Sequence, residues 1–142
     1  MRSIERILVA IVATSLCSCL APQNVEMVGV DMESWRSADS LVYENSDTLS
    51  LRNLNIAIRY NDNLKRSVLP LKIGVTTPDA RHYADTVALQ LYHPSTALAV
   101  ATTESLPYRS SVLLNQKGCY TFSFEPLEEV RGVEAIGIEI KQ

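Results

Sequence analysis

Residues 118–141, GCYTFSFEPLEEVRGVEAIGIEIK, contain the two clearest strand patterns in the chain. Aromatic side chains alternate with other residues from 120 to 124, and isoleucines do the same from 136 to 140. A period of two residues is typical of strands with one buried face. Pro126 lacks the N–H that a sheet ladder needs, so the first strand is expected to end there. Two such strands cannot cover their own apolar faces, and the rest of the chain must supply further strands.

The chain from residue 38 to residue 118 repeats this alternation in short segments. Apolar residues alternate near 41–43, 49–60, 69–75, 87–91, 98–102 and 112–114, with turn residues between the segments. No segment after the first nineteen residues shows a sustained apolar period of 3.6. The pattern predicts an all-β domain, an antiparallel β-sandwich of about eight strands, with a small closed β-barrel as the alternative.

Three local features add detail to this prediction. The apolar positions change phase at Arg52-Asn53, which requires a bulge or a bend there. Pro70 predicts an edge strand or a bulge, because it cannot donate to a ladder. Residues 104–109, which include Pro107, are predicted to form a loop.

The first residues resemble a bacterial lipoprotein signal peptide. A positive start precedes an apolar run, ILVAIVATSL at residues 7–16, that is too short to span a bilayer. The run ends in Leu16-Cys17-Ser18-Cys19, which resembles the lipobox, a small residue before an obligatory cysteine. The resemblance implies cleavage before Cys19 and a lipid on that residue. An ordinary secretory signal is the alternative, and Cys17 is the rival lipid acceptor.

These features divide the chain into three parts. Residues 1–18 are expected to be the lipoprotein signal peptide, 19–37 the lipidated cysteine and a tether that becomes a first partial strand, and 38–142 the β-sandwich domain. No aspartate follows Cys19, and no acidic run lies nearby. By resemblance to known sorting signals, this favours an outer-membrane lipoprotein that faces the periplasm.

Charge and cysteine content exclude several classes of protein. The formal net charge is −3, and it becomes −4 when Arg2, Glu5 and Arg6 are removed (−3 − 2 + 1). A mildly acidic domain argues against nucleic-acid binding and against adhesion to an anionic membrane surface. Processing would leave Cys19, which carries lipid, and Cys119, so we expect no intramolecular disulfide and a fold that depends on its apolar core. Cys119 flanks a strand and is predicted to be buried or half-buried.

No residue pattern in the chain predicts catalysis, so we expect a protein that is not an enzyme and needs no cofactor. His82 and His93 are the only histidines, and they lie an odd number of positions apart at the two ends of one predicted strand. They are therefore not expected to converge on a metal ion. Asp79 and Asp85 bracket the loop at Pro78 and are expected to be solvated.

Four aromatic residues are expected to be exposed: Trp35, Tyr83, Tyr92 and Tyr108. Many carbohydrate-binding modules stack sugar rings on aromatic side chains of a β-sandwich, so these four are candidate glycan contacts. They lie on separate segments, and the sequence leaves open whether they converge. For Trp35 the preferred interpretation is a lid over one end of the sandwich.

Four segments of the chain resemble the gliding-motility lipoprotein H (GldH) family of Bacteroidota. They are Leu49 to Asn53 with Tyr60 and Asn63, Asp85-Thr86 with the strand to Leu91, GCYTF at 118–122 and GVEAIGI at 132–138. The resemblance implies an accessory lipoprotein of the gliding and secretion apparatus, with a non-enzymatic role in the envelope.

Two functional hypotheses are consistent with these patterns. The first is a non-catalytic structural or interaction subunit, held at the membrane by its lipid anchor, that presents loops or an edge strand to other envelope proteins. The alternative is a small carbohydrate-binding envelope module. A co-planar pair of aromatic rings would favour the glycan, whereas an exposed apolar patch would favour the protein partner.

Overall fold

A computed structural model of the chain describes residues 24–92 and 101–142. The predicted signal peptide and Cys19 lie outside these residues. The described chain forms eight strands: β1 (Val25–Gly29), β2 (Asp39–Asn45), β3 (Leu51–Tyr60), β4 (Val68–Thr76), β5 (His82–Gln90), β6 (Thr102–Leu113), β7 (Gly118–Pro126) and β8 (Val133–Lys141). No helix in this part of the chain is long and apolar enough to cross a membrane.

The strands form two separate four-stranded sheets. The first sheet has the order β1-β8-β3-β6 and the second has the order β2-β7-β4-β5. Every neighbouring pair is antiparallel. The predicted antiparallel β-sandwich is confirmed, and the closed alternative is wrong.

The two strands with the clearest sequence pattern, β7 and β8, do not pair with each other. Each is an inner strand of a different sheet, and residues 127–132 carry the chain from one sheet to the other. Their inward side chains meet those of β3 and β4 in the core. The fully buried members of this core include Ile56, Ile58, Leu71, Ile73, Phe122, Phe124, Ile136 and Ile138.

The strand directions give the sandwich two distinct ends. The N-terminal end carries Asn24, the loops 46–50, 77–81 and 114–117, and the last residues of β8. The opposite end carries residues 30–38, 61–67 and 127–132. This geometry matters because any tether that precedes Asn24 leaves the domain at the N-terminal end.

The sandwich begins before the predicted boundary at residue 38. Strand β1 lies within the segment expected to be a tether, and its partner is β8. The ladder extends to Asn24, whose carbonyl oxygen accepts a hydrogen bond from the Ile140 N–H at 2.9 Å. The pairing covers an edge that β8, a strand buried along most of its length, would otherwise expose. The described sandwich thus includes strand β1, which lies in the segment between Cys19 and residue 38.

Two prolines occupy positions that differ from their predictions. Residues 104–109 belong to strand β6 and are not a loop, and Pro107 is tolerated because β6 is an edge strand. Pro70 lies in β4, which is an inner strand. The β4–β7 register begins at Leu71, and the Pro70 carbonyl accepts from the Leu127 N–H at 3.3 Å. The N–H that Pro70 lacks would therefore lie at the end of the β4–β7 ladder.

The phase change at Arg52-Asn53 has a different cause from the expected bulge within β3. The register between β3 and β6 does shift here, but the extra residue lies in β6. Arg52 pairs with Val112 and Leu54 pairs with Arg109, so β6 uses one residue more than β3 between these two pairs. Strand β3 keeps its alternation and turns Arg52 inward, where the residue is 5% exposed. The leucines that precede Arg52 consequently face solvent.

A buried polar network surrounds Arg52 at the N-terminal end. Its guanidinium donates to the Tyr43 hydroxyl at 3.0 Å, to the side-chain oxygen of Asn45 and to the carbonyl of Asp47. Asn45, which is 1% exposed, donates in turn to the carbonyl oxygen of Leu114 at 3.0 Å. Because β3 and β2 belong to different sheets, these bonds join the two layers.

The outer face of the second sheet carries Cys119. The predicted burial of this thiol is wrong, because Tyr120, Phe122 and Phe124 occupy the inward positions of β7 and Cys119 has the opposite parity. Cys119 is a free cysteine on the surface.

Candidate functional site

The aromatic residues predicted to be exposed do not form one site. Trp35 is 1% exposed and lies in the core at the opposite end. Its backbone pairs with Val130 in both directions at 2.9 Å, and its indole N–H donates to Asp39 at 2.8 Å. Trp35 is therefore wrong as a glycan contact, because its ring is enclosed by the residues that close the sandwich.

The three tyrosines are spread along one flank. Tyr83 is near the start of β5 and is 56% exposed, whereas Tyr92 follows the end of that strand and is 80% exposed. At about 3.3 Å per residue, the seven steps from Tyr83 to Gln90 alone cover about 23 Å. Tyr108 is half-buried on β6. These positions bring Tyr108 to the flank where Tyr83 lies but leave Tyr92 at the opposite end.

An ion pair connects the two sheets along this flank, which we call the β5–β6 seam. Arg109 of β6 bonds to the carboxylate of Asp85 on β5. The Arg109 guanidinium also lies 4.9 Å from the centre of the Tyr108 ring. Burial raises the pKa of the Tyr108 hydroxyl, and the nearby Asp85 charge raises it further. The Arg109 guanidinium lowers this pKa but does not cancel the increase. A phenol with a raised pKa stays protonated at neutral pH and can donate a hydrogen bond.

A second polar cluster lies on the outer face of the first sheet. The Ser105 hydroxyl donates to the Glu139 carboxylate, and Asn55 donates to Ser105 at 3.2 Å and to Glu139 at 3.3 Å. The Ser105 hydrogen bond lowers the pKa of Glu139. A lowered pKa means that the Glu139 carboxylate is ionised at neutral pH and accepts these hydrogen bonds.

Two other predicted polar residues lie at the surface, Asp79 in the 77–81 loop and His82 at the start of β5. Asp79 pairs with Arg81 at 3.2 Å, and the hydrogen bond from Thr77 lowers its pKa. His82 begins β5 and lies 3.1 Å from the Thr76 hydroxyl, while His93 is outside the described residues. Within residues 24–92 and 101–142, no three His, Cys, Asp or Glu side chains are grouped closely enough to hold a metal ion.

Among the described residues, the backbone of β5 pairs with another strand on one side only. Hydrogen bonds from Leu91 N–H to the Ser67 carbonyl (2.8 Å) and from Thr77 N–H to the Arg81 carbonyl (2.9 Å) fix which residues face β4. The β4–β5 register has no shift, so odd-numbered residues from 81 to 91 bond to β4. The N–H and C=O groups of the even-numbered residues point away from the sheet.

Strand β5 carries few of the devices that usually protect a sheet edge. It has nine residues and contains no proline, lysine or bulge, and its one charged side chain, Asp85, is paired. Strand β6, the edge of the other sheet on this flank, contains Pro107, register shifts and a left-handed residue, Ser111 (φ 54°). Within residues 24–92 and 101–142 no strand covers the outer edge of β5, and an edge of this kind is a template for an added strand.

Sequence reasoning located β5 but did not identify it as an edge. The alternation of Val87, Leu89 and Leu91 is the same as that of an inner strand whose second face is solvated. Edge position depends on the order of strands, which the alternation does not encode.

Comparison with protein families places the fold in context. A family model described as GldH lipoprotein matches residues 25–140, which span the whole described sandwich from β1 to β8. A search of curated proteins found no match.

Proposed function

The chain belongs to the GldH lipoprotein family, and from this membership we propose that it is a non-catalytic subunit of an envelope assembly, held at a membrane by a lipid. The lipid would be attached to Cys19, in the outer membrane and facing the periplasm. The gliding and secretion apparatus is the assembly that the family name suggests. The folded domain would act by binding another envelope protein.

The edge of β5, which no strand of the described residues covers, is the observation that carries this proposal. Main-chain groups of an edge strand give affinity to any extended segment, while the outer side chains set the register. Tyr92 lies at the opposite end from Tyr83, so the three tyrosines do not form one stacking platform, and this favours a protein partner over a glycan. The ion pair between Asp85 and Arg109 supports the edge by holding β5 against the other sheet.

Site-specific photo-crosslinking in living cells tests the proposal. A photoreactive amino acid is placed at Ala88 on the outer face of β5, and the same residue at Val42 on β2 serves as the control. Val42 is also on an edge strand of the second sheet and is 54% exposed. We expect the variant with the photoreactive residue at Ala88 to crosslink to one or a few envelope proteins. The variant with this residue at Val42 should give a different or weaker pattern.

Two backbone variants then connect the crosslink to the edge. Thr86→Pro removes an N–H that points away from β4, so it should abolish the crosslink, whereas Thr86→Val keeps that N–H and should retain it. Capture of polysaccharide, or of no protein, would overturn the interaction-subunit proposal. A crosslink that survives Thr86→Pro would assign the partner to another surface.

The anchor has its own test. Cys19→Ser should release a folded protein from the membrane fraction, because the modification site is lost while every strand is kept. Release together with loss of the Ala88 crosslink would show that the partner is met at the membrane. A Cys19→Ser chain that stays in the membrane fraction would contradict lipidation at this residue.

A further inference from the structure

Three leucines are exposed at the N-terminal end of the sandwich. Leu49 is 90% exposed, Leu51 is 60% exposed and Leu113 is 47% exposed. Leu51 and Leu113 are directly opposite each other in the β3–β6 ladder, so their side chains share the outer face of the first sheet. Leu49 lies on the loop immediately before β3. We call these three residues the leucine patch.

The fold holds the leucine patch in this exposed position. Arg52 occupies the inward place next to Leu51, and the hydrogen bonds of its guanidinium fix that side chain in the interior. The Asp47 carboxylate accepts from the Leu49 N–H at 3.0 Å and from the Ser50 N–H at 3.1 Å, which fixes the loop tip. Turning Leu51 inward would expose Arg52 and break these bonds.

The predicted lipid anchor is close to the same end. Cys19 precedes Asn24 by five residues, and five residues span at most about 18 Å when fully extended. Asn24 is paired with Ile140 near the end of β8, at the N-terminal end of the sandwich. A lipid on Cys19 therefore holds this end, and not the opposite one, against the bilayer.

We propose that the leucine patch inserts into the boundary between headgroups and acyl chains of the membrane that holds the lipid anchor. The inference rests on the proposed lipidation of Cys19 and adds a second contact that orients the domain. Apolar side chains held within reach of a bilayer lose water-exposed area when they enter this boundary. The strands then stand on the membrane, and the β5 edge is accessible from the side.

The charges at this end fit an apolar contact better than an electrostatic one. Arg81 is paired with Asp79, Lys141 lies 3.5 Å from Glu139, and Lys117 is a further cation in the loops at this end. The ionised Asp47 carboxylate has its charge directed at backbone N–H groups. The insertion should accordingly depend little on salt, unlike adhesion by a basic surface.

Depth-dependent fluorescence quenching tests this orientation on the full lipidated chain. Cys119→Ser removes the surface thiol, and Leu49→Cys then provides one site for an environment-sensitive dye. The protein is reconstituted in vesicles of phosphatidylethanolamine and phosphatidylglycerol that contain lipids with a quencher on the acyl chain. Leu127→Cys is the matched control, because Leu127 is 52% exposed and lies at the opposite end.

We expect the dye at Leu49→Cys to be quenched several-fold more strongly than the dye at Leu127→Cys, with little effect of salt. Equal quenching at the two sites, or no quenching of the Leu49→Cys dye on vesicle-bound protein, would overturn the inference and leave the anchor intact. A chain that does not bind the vesicles would overturn the anchor and the inference together. Amide hydrogen exchange of the unlabelled protein gives a second readout: vesicles should slow exchange near residues 49–51 and 113–116 and not near 127–132.

Discussion

The guanidinium of Arg52 on β3 donates to the side-chain oxygen of Asn45 on β2, and this bond joins the two sheets inside the N-terminal end of the sandwich. Both residues are almost fully buried. A buried polar pair in an otherwise apolar interior fixes how the two sheets align, because its partners are left unsatisfied in any other arrangement.

Removal of the Arg52 side chain should be strongly destabilising. Arg52→Ala leaves the acceptors on Asn45 and Asp47 buried without their donor, so we expect the free energy of unfolding to fall by roughly 2–4 kcal/mol. Arg52→Lys should restore little, since an ammonium cannot reproduce the planar fork of donors. Urea unfolding of the purified protein measures the change.

Arg59 provides a control for the loss of an arginine charge that is not buried. It pairs with Glu134 at 3.1 Å on the surface, where its side chain is 53% exposed. Arg59→Ala should cost less than about 1 kcal/mol, because exposed ion pairs contribute little. Equal losses for Arg52→Ala and Arg59→Ala would contradict a structural role for the buried network.

The loop that precedes β3 should be sensitive to acid. The hydrogen bond from the Ser50 side chain, with those from the Leu49 and Ser50 backbone, lowers the pKa of Asp47 from 3.8 to about 2. A folded-state pKa below the unfolded value means that these bonds stabilise the fold fully above pH 3.8. Their contribution is lost as the pH falls through about 2.

NMR titration of the carboxyl groups checks this assignment. Ser50→Ala should move the pKa of Asp47 upward, because it removes the largest of the lowering effects. Ser46→Ala, on the same loop, should not. An Asp47 that titrates near 3.8 in the unmodified protein would show that the turn is not formed in solution.

The link between the two sheets requires glycine at position 132, because its backbone has a positive φ and leaves no room for a Cβ. Gly132 has φ of 96°, and a Cβ there would lie 2.3 Å from the backbone nitrogen of Leu64. Gly132→Ala should therefore lower the free energy of unfolding by roughly 1–3 kcal/mol or more, from backbone strain and the collision together. Thermal unfolding of this variant and of Gly29→Ala measures the difference.

Gly29→Ala is the matched control for the same substitution. A Cβ at Gly29 would meet only the carbonyl oxygen of Glu134, at 3.9 Å. This variant should be close to the unmodified protein in stability, since ordinary contact distance costs little. Similar losses for both variants would argue against a specific constraint at Gly132.

The two faces of the β5 backbone should differ in their tolerance of proline. Thr86 directs its N–H away from the sheet, so Thr86→Pro should change the free energy of unfolding by less than about 1 kcal/mol. Val87 directs its N–H at β4, opposite Leu71, so Val87→Pro should cost roughly 2–4 kcal/mol. Denaturant unfolding compares the two, and the reverse order would show that the edge is paired differently.

Alternation within single strands was sufficient to predict most of the fold. The residues of β7 and β8 alternate because one face of each meets the core, and this requirement acts on neighbouring residues in the sequence. The same reasoning predicted the all-β class, which is confirmed. Membership of the GldH lipoprotein family was predicted from the resemblance of four segments, and it is also confirmed. Alternation failed at residues 104–109, because Pro107 is tolerated in the edge strand β6.

The candidate surfaces were decided by tertiary structure alone. Whether β5 is an edge depends on the order of strands in a sheet, and that order results from contacts far apart in the chain. The sequence around Arg52 predicted that Leu49 and Leu51 share the buried parity, because leucine is more often buried than arginine. The fold reverses this choice, since Arg52 finds its hydrogen-bond partners on another sheet, and the leucines are left on the surface.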